Sequence, residues 1–313
     1  MNDVVKNIIL SDEKMKEIFN KLMKKDRNYW KKFGTPDDIF KWLNNFLNKN
    51  EIYLALILAD KILYYNISEV RYLWRLILTN RIKRYLFDDI FGKDYSGKPE
   101  DTNSKFIDYI KNKCIFIGFG EICKSGPHMV YPFQQAVSDI IQSGDINFKE
   151  YSNFLSTKMD LSEKKVIFLL DDFIGTGNQA VTEWNNKIKV SNNYKNNPQL
   201  SFLYAALTGF SNGVNNIEQN TNGKVKVILG TQPMDDSFRC FSGSSLIYEN
   251  PGERKEAEKI MESAGKMLYE YPLGYENDQA AVAFSHNTPS NSLPVIWKRG
   301  PDEAWYPLFE RFE

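Results

Sequence analysis

Histidine is almost missing from this chain, with two in 313 residues, His128 and His286, and neither is placed so as to compel a general-base role. Cysteine is nearly as scarce. Cys114, Cys123 and Cys240 are odd in number and far apart, so they make neither a disulfide framework nor a zinc site. They fit a reducing, cytoplasmic compartment. Net charge is absent too: forty Lys and Arg balance forty Asp and Glu. A surface that is basic overall and binds nucleic acid without regard to sequence is thereby excluded. No apolar run is long enough to span a bilayer, and the start, MNDVVKNIILSDEK, has early acids and no apolar core of the kind a secretory signal needs. There is no internal repeat and no low-complexity tract.

What is present is concentrated in residues 166–179, VIFLLDDFIGTGNQ. Five apolar residues, Val166 to Leu170, predict a short buried strand, closed by Asp171 and Asp172. Gly175, Thr176, Gly177, Asn178 and Gln179 then form a small-residue turn, and Ala180 onward reads as a helix start. A strand, two acids, a glycine loop and a helix N-terminus suit a phosphorylated sugar. The acids accept from vicinal hydroxyls, and backbone N–H groups face the phosphate. The plainer alternative is an ordinary strand-turn-helix connection.

The chain changes character near residue 100. Up to about residue 90 the spacing is helical. Ser11 with Asp12 and Glu13, and Thr35-Pro36-Asp37-Asp38, read as helix starts. Residues 51–65 are apolar almost all round, as in a central helix, and Ser68 reads as the cap of a further helix. Residues 1–95 are therefore expected to be a helical accessory domain, and 105–313 an α/β domain. In the second part strands are expected over 114–119, 166–170, 200–207, 225–229 and 280–285. Helices are expected over 125–141, 177–190 and from Asn250 to about 270. Such alternation predicts a parallel sheet with helices on both faces and ligands at the carboxyl ends of its strands.

Two more segments end strands with polar residues. The stretch 114–119 ends in Gly118 and Phe119, and after it come Gly120 and then Lys124-Ser125-Gly126, with His128 close behind. After 280–285 come His286, Asn287, Thr288, Pro289, Ser290 and Asn291, preceded by Pro272-Leu273-Gly274-Tyr275. Lys124 reads either as a cation for an anionic ligand or as a solvated loop lysine. His128, His286 and Asn287 are further candidates for ligand contact. Asp235-Asp236-Ser237 reads as a capping turn.

The order of residues 166–179 resembles the phosphoribosyl-pyrophosphate (PRPP) motif of type I phosphoribosyltransferases. The resemblance implies an α/β fold with a phosphoribosyltransferase-like parallel sheet and flanking helices, here preceded by an N-terminal helical segment. It implies that Asp171 and Asp172 hold the ribose hydroxyls and that residues 175–179 wrap the 5′-phosphate. Lys124, with Ser125 and Gly126 at the helix start, would grip the pyrophosphate. Mg²⁺ would bind through the substrate, with Asp171 and Asp172 as its protein-side candidates. Gln179 departs from the Thr or Ser that usually ends this loop. Taken together, Lys124-Ser125-Gly126, the DDF-x-GTG-x-Q loop, Pro272 to Tyr275 and Asn287 to Trp297 resemble a narrower set of phosphoribosyltransferase-like proteins of bacterial conflict systems. In that set Gln at position 179 is normal, and Ser290 replaces an Asn of its late segment. The resemblance spans roughly residues 40–300 and implies a transferase acting in antiphage defence. The alternative is an inactive subunit that senses PRPP or a nucleotide, or a scaffold. Aromatic residues before residue 75 and basic runs at 21–32 and 71–84 suggest contact with a co-encoded protein or nucleic acid, or simply a solvated face.

Overall fold

The computed structural model describes residues 2–25, 37–92, 99–121, 124–138, 140–141 and 146–311. It opens with helices α1 (Asn2–Leu10), α2 (Glu13–Lys25), α3 (Asp37–Leu43) and α4 (Lys49–Lys61), then strand β1 (Leu63–Tyr65). Helix α5 (Ile67–Leu76) runs on as a π-helical segment, Ile77–Ile82, followed by α6 (Lys83–Tyr85), α7 (Phe87–Phe91) and α8 (Pro99–Lys113). The alternating part is β2 (Cys114–Gly118), α9 (Ser125–Val137), β3 (Phe148–Lys149), α10 (Tyr151–Ser156), β4 (Val166–Ile174), α11 (Asn178–Glu183), α12 (Asn192–Asn196), β5 (Ser201–Gly209), α13 (Ser211–Asn220) and β6 (Val225–Leu229). A π-helical segment, Trp184–Ile188, extends α11. Helix α14 (Pro251–Lys266), strand β7 (Val282–Phe284) and helix α15 (Pro294–Trp297) complete the order.

By packing the chain forms two units, one of Met1–Ile67 with Asp235–Glu313 and one of Ser68–Met234. This division differs from the one expected near residue 100, because contacts distant in sequence decide it. The indole of Trp42 donates to the Val295 carbonyl at 2.8 Å, and the Tyr248 hydroxyl to that of Leu54 at 2.8 Å. Helices α1 to α4 thus share a core with the C-terminal residues. Helix α5 instead packs with the sheet: Trp74 meets Phe133 edge-on at 5.4 Å.

The Ser68–Met234 unit is built on a five-stranded sheet in the order β3-β2-β4-β5-β6, with every pairing parallel. Strand β4 is central and buried along its whole length; the apolar run Val166–Leu170 suits a parallel strand covered on both faces, and the strand continues through Asp171 and Asp172 to Ile174 where the sequence suggests that they close it. One face packs Phe116, Phe133 and Phe168, with Phe116 and Phe168 stacked at 4.6 Å. The other packs Ile117, Ile167, Leu169 and Phe202 against Phe154, Trp184 and Ile217 from the covering helices.

Several local expectations shift. The run 51–65 is not one helix: α4 closes where the Ile62 N–H reaches the Leu58 carbonyl at 3.1 Å, and β1 pairs parallel with β7. An all-apolar run carries no period to separate helix from strand. That pairing also takes 282–284 out of the main sheet into a two-stranded one within the other unit. Asp12, not Ser11, caps α2, accepting from the N–H groups of Lys14 and Met15. Helix α5 begins one residue before Ser68. Asn250 caps α14 as expected. Trp30, Phe33, Thr35 and Pro36 lie outside the described residues.

Candidate functional site

Strand β4 carries Asp171 and Asp172 at its carboxyl end, beside the end of its neighbour β2. Alternation along the strand sends the two side chains to opposite faces. Asp171 goes inward. Its Oδ1 accepts from Ser125 Oγ at 2.7 Å and from the Asp172 N–H at 2.9 Å, and its Oδ2 accepts from the Tyr204 hydroxyl at 2.5 Å. Burial, and secondarily the charge of Asp172, push the Asp171 carboxyl up to about 7, although these three donors pull it down. Asp172 is buried too, at 5% exposure.

The loop that follows is held from below by α13. Gly177 sits in the left-handed region at φ 78°, and a β-carbon there would stand 2.5 Å from the Gly213 carbonyl oxygen. The approach is closer still from the other side: a β-carbon on Gly213 would lie 1.9 Å from the Gly175 oxygen. Asn216, one turn along α13, donates from Nδ2 to the Thr176 carbonyl at 2.8 Å and to Asn178 Oδ1 at 2.7 Å. Gly175 is buried by this packing, while Asn178 and Gln179 face outward. Gly177 has no side chain with which to cap α11, and Thr176 Oγ1 accepts from the Asn178 N–H at 3.4 Å.

The loop after β2 meets the same place. Gly120 is left-handed at φ 94°, and a β-carbon on it would touch Lys124 Cβ at 3.2 Å and Gln179 Nε2 at 3.9 Å. Lys124 is exposed at the start of α9. Ser125 turns its hydroxyl to Asp171, so what it presents outward is its backbone. Gly126 is a packing glycine: a β-carbon would lie 2.1 Å from the Phe119 oxygen and 2.8 Å from that of Leu170. Glu121 anchors the loop through Lys187 at 3.1 Å, and Lys187 also pairs with Glu183 at 3.0 Å. Glu183 in turn accepts from the Tyr151 hydroxyl at 2.7 Å.

The structure therefore brings together Lys124, Ser125, Gly126, Asp171, Asp172 and residues 175–179. His128 lies exposed on the first turn of α9. His286 and Asn287 belong to the other unit, where His286 stacks on Phe284 at 5.2 Å and Asn287 Oδ1 accepts from the Thr288 N–H at 3.0 Å. In that unit the 272–275 and 287–297 segments clasp each other. Gly274, at φ 90°, allows the Asn291 carbonyl to approach within 2.1 Å of where a β-carbon would stand, and Asn291 Nδ2 donates to Asp278 at 3.0 Å. Arg239 binds the same carboxylate. Asp235 Oδ1 accepts from the Ser237 N–H at 2.9 Å, the capping turn its sequence suggests.

Sequence reading missed Tyr204 and Asn216. A tyrosine inside the apolar run of β5 is the only trace of the first, since a buried phenol needs a partner. Asn216, in the polar stretch Ser211–Asn220, has no distinguishing neighbour. Cys114 and Cys240 are free and buried, and burial pushes both thiols up, away from reactivity; Cys123 lies outside the described residues. Among the described residues no cluster of three or more His, Cys, Asp or Glu side chains is able to hold a metal ion, and no helix is long and apolar enough to cross a membrane.

The PRTase-CE family model matches residues 39–311, and the chain belongs to that family. It is a phosphoribosyltransferase-like protein, and its parallel sheet with flanking helices agrees with that fold. No curated protein matches the chain.

Proposed function

We propose that the chain binds PRPP at the carboxyl ends of β2 and β4 and transfers its phosphoribosyl group, releasing pyrophosphate. The observation that carries this reading is the convergence of two loops from adjacent parallel strands. One is an acid pair followed by a glycine-bearing turn, and the other holds Lys124 and the start of α9. The exposed tip at Asn178 and Gln179 at the start of α11 suits a 5′-phosphate. Asp172 would hold the ribose hydroxyls, and Asp171 would fix Ser125 and the strand end beneath it. Lys124 would meet the pyrophosphate as the bond from the anomeric carbon breaks and charge passes to the leaving group. The described residues fit Mg²⁺ only as an ion carried by the substrate, because both oxygens of Asp171 already accept hydrogen bonds. Bound that way, the ion would neutralise pyrophosphate charge, with Asp172 as its carboxylate contact.

A ligand-sensing role without transfer has one observation in its favour. Both oxygens of Asp171 are taken up by partners inside the protein. Isothermal titration with PRPP and Mg²⁺, followed by a pyrophosphate-release assay over candidate acceptors, separates the two. Binding with release supports transfer, binding without release supports sensing, and no binding overturns both. The defensive role implied by the resemblance is proposed with it. Phage plaque counts on cells carrying the wild-type chain or Asp172→Asn test that role, and equal counts would overturn it.

A further inference from the structure

The basic run at 71–84 is not uniform. Arg71 donates to Gln135 at 2.7 Å, and Lys83 to Asn103 at 2.6 Å. Arg81 and Arg84 instead line a cavity of about 460 Å³ beside the edge strand β6, walled by Tyr85, Val214, Leu229 and Thr231 among others. That volume falls in the usual range for small-molecule sites, roughly 300–1,000 Å³. The Nε of Arg81 is buried and has no hydrogen-bond partner among the described residues. Such a donor is costly to leave unmet. Arg81 also falls near the end of the π-helical segment Ile77–Ile82, and single π turns are frequent at functional sites. Two acids, Asp89 and Glu218, also lie within electrostatic reach of the Tyr85 hydroxyl, and Glu218 has partners of its own. Glu218 Oε1 accepts from the Val227 N–H at 3.1 Å and its other oxygen faces Lys226 at 3.6 Å.

We infer that this cavity is a second ligand site, for a small organic phosphate with a planar or apolar body, of which a nucleoside monophosphate is the type. Two guanidinium groups one helical turn apart match a group that carries close to two negative charges at neutral pH. The Thr231 hydroxyl is already engaged with Thr208 Oγ1 at 2.7 Å and the Gln232 carbonyl at 3.0 Å, so the arginines carry the charge contact, and the Tyr85 ring with Val214 and Leu229 offers the body an apolar wall. In the sheet order β6 stands two strands from β4, about 10 Å across the sheet, so this ligand is not the one held by the acid pair.

The test is isothermal titration of the full-length protein with adenosine 5′-monophosphate and, separately, inorganic phosphate. Adenosine monophosphate is expected to bind, and inorganic phosphate to bind about tenfold more weakly or less, for want of the apolar contact. The double change Arg81→Gln and Arg84→Gln should weaken the nucleotide about tenfold or more. Arg84→Glu alone, an exposed position, should do so with the unfolding midpoint unchanged. Asp172→Asn should leave nucleotide binding intact, which separates failure here from failure of the phosphoribosyl reading. The inference is overturned by an absence of nucleotide binding, by binding indifferent to both arginines, or by binding lost in Asp172→Asn. A short single-stranded RNA bound through these arginines far more tightly than the nucleotide would equally overturn it, and would make this face a nucleic-acid surface.

Discussion

The hydroxyl of Tyr204 donates to Oδ2 of Asp171 at 2.5 Å, tying β5 to the strand end that carries the acid pair. The bond is buried on both sides, so its loss is not made good by water. Tyr204→Phe keeps the ring and its edge-on contact with Phe119 at 4.9 Å, and removes only the donor. Stability is expected to fall by about 1–2 kcal/mol. Because the phenol is one of the groups holding the Asp171 carboxyl down, the variant should also titrate at higher pH than the wild type. Denaturant unfolding and a pH titration of PRPP affinity check both; an unchanged midpoint in each would sink the coupling.

The two acids should answer differently to substitution. Asp171→Ala strips the acceptor from Ser125 and Tyr204 together and should lower the melting temperature by several degrees. Asp171→Asn keeps the shape and one acceptor oxygen and relieves repulsion with Asp172, so it should retain most of the stability and measurable PRPP binding. Asp172→Asn should lose that binding. Melting curves and titrations on the three variants decide this. Equal loss of binding in both Asn variants would mean that Asp171, despite its internal partners, is itself a ligand contact.

Loop integrity depends on two glycines that face each other. From its sequence context Gly177→Val is expected to affect phosphate binding more than folding. The geometry changes that expectation, since the β-carbon would meet the Gly213 oxygen at 2.5 Å from a left-handed backbone. Both Gly177→Val and Gly213→Ala should destabilise by about 1–3 kcal/mol. Asn216→Ala, which removes the two hydrogen bonds to the loop and the one that its Oδ1 accepts from Asn220 Nδ2 at 2.6 Å, should weaken PRPP binding with a smaller stability loss. If Asn216→Ala binds PRPP like wild type, α13 does not organise the loop.

Legibility in the sequence followed distance along the chain. Residues 166–179 were readable because strand, acids and loop are consecutive, so composition and period speak at once. The parallel sheet followed from alternation of strands and helices. What was not readable depends on space. Tyr204 reaches Asp171 from 33 residues away, and Trp42 reaches Val295 across 253. The second contact is why the packing division runs at 67 and 234 and not near 100. The 51–65 run failed for another reason: Leu63 to Tyr65 become a strand only because β7 lies alongside, and no residue in the run announces it. The 272–275 and 287–297 segments look like ligand loops in sequence because they are polar and glycine-bearing. In the fold those features serve their mutual clasp through Gly274, Asn291 and Asp278.

Asp171 gives the protein a pH dependence whose sign is fixed by its burial. The ordinary value is 3.8, and in the folded chain the carboxyl is pushed up to about 7. Between those values the folded state holds a proton that the unfolded state has released. Stability from this group is therefore fully present below the unfolded value and is lost as pH rises through the folded one. For one proton the slope is at most about 1.4 kcal/mol per pH unit. Asp171→Asn has no such proton, so it serves as the reference. From about pH 5 to about pH 8 the wild type should lose stability relative to Asp171→Asn, and titrating groups that do not interact with Asp171 cancel in the comparison. Guanidinium unfolding of both proteins across that range gives the difference directly. Parallel curves, or a wild type that gains on the variant as pH rises, would show that the carboxylate is ionised in the folded protein and that Ser125, Tyr204 and the Asp172 N–H outweigh its burial.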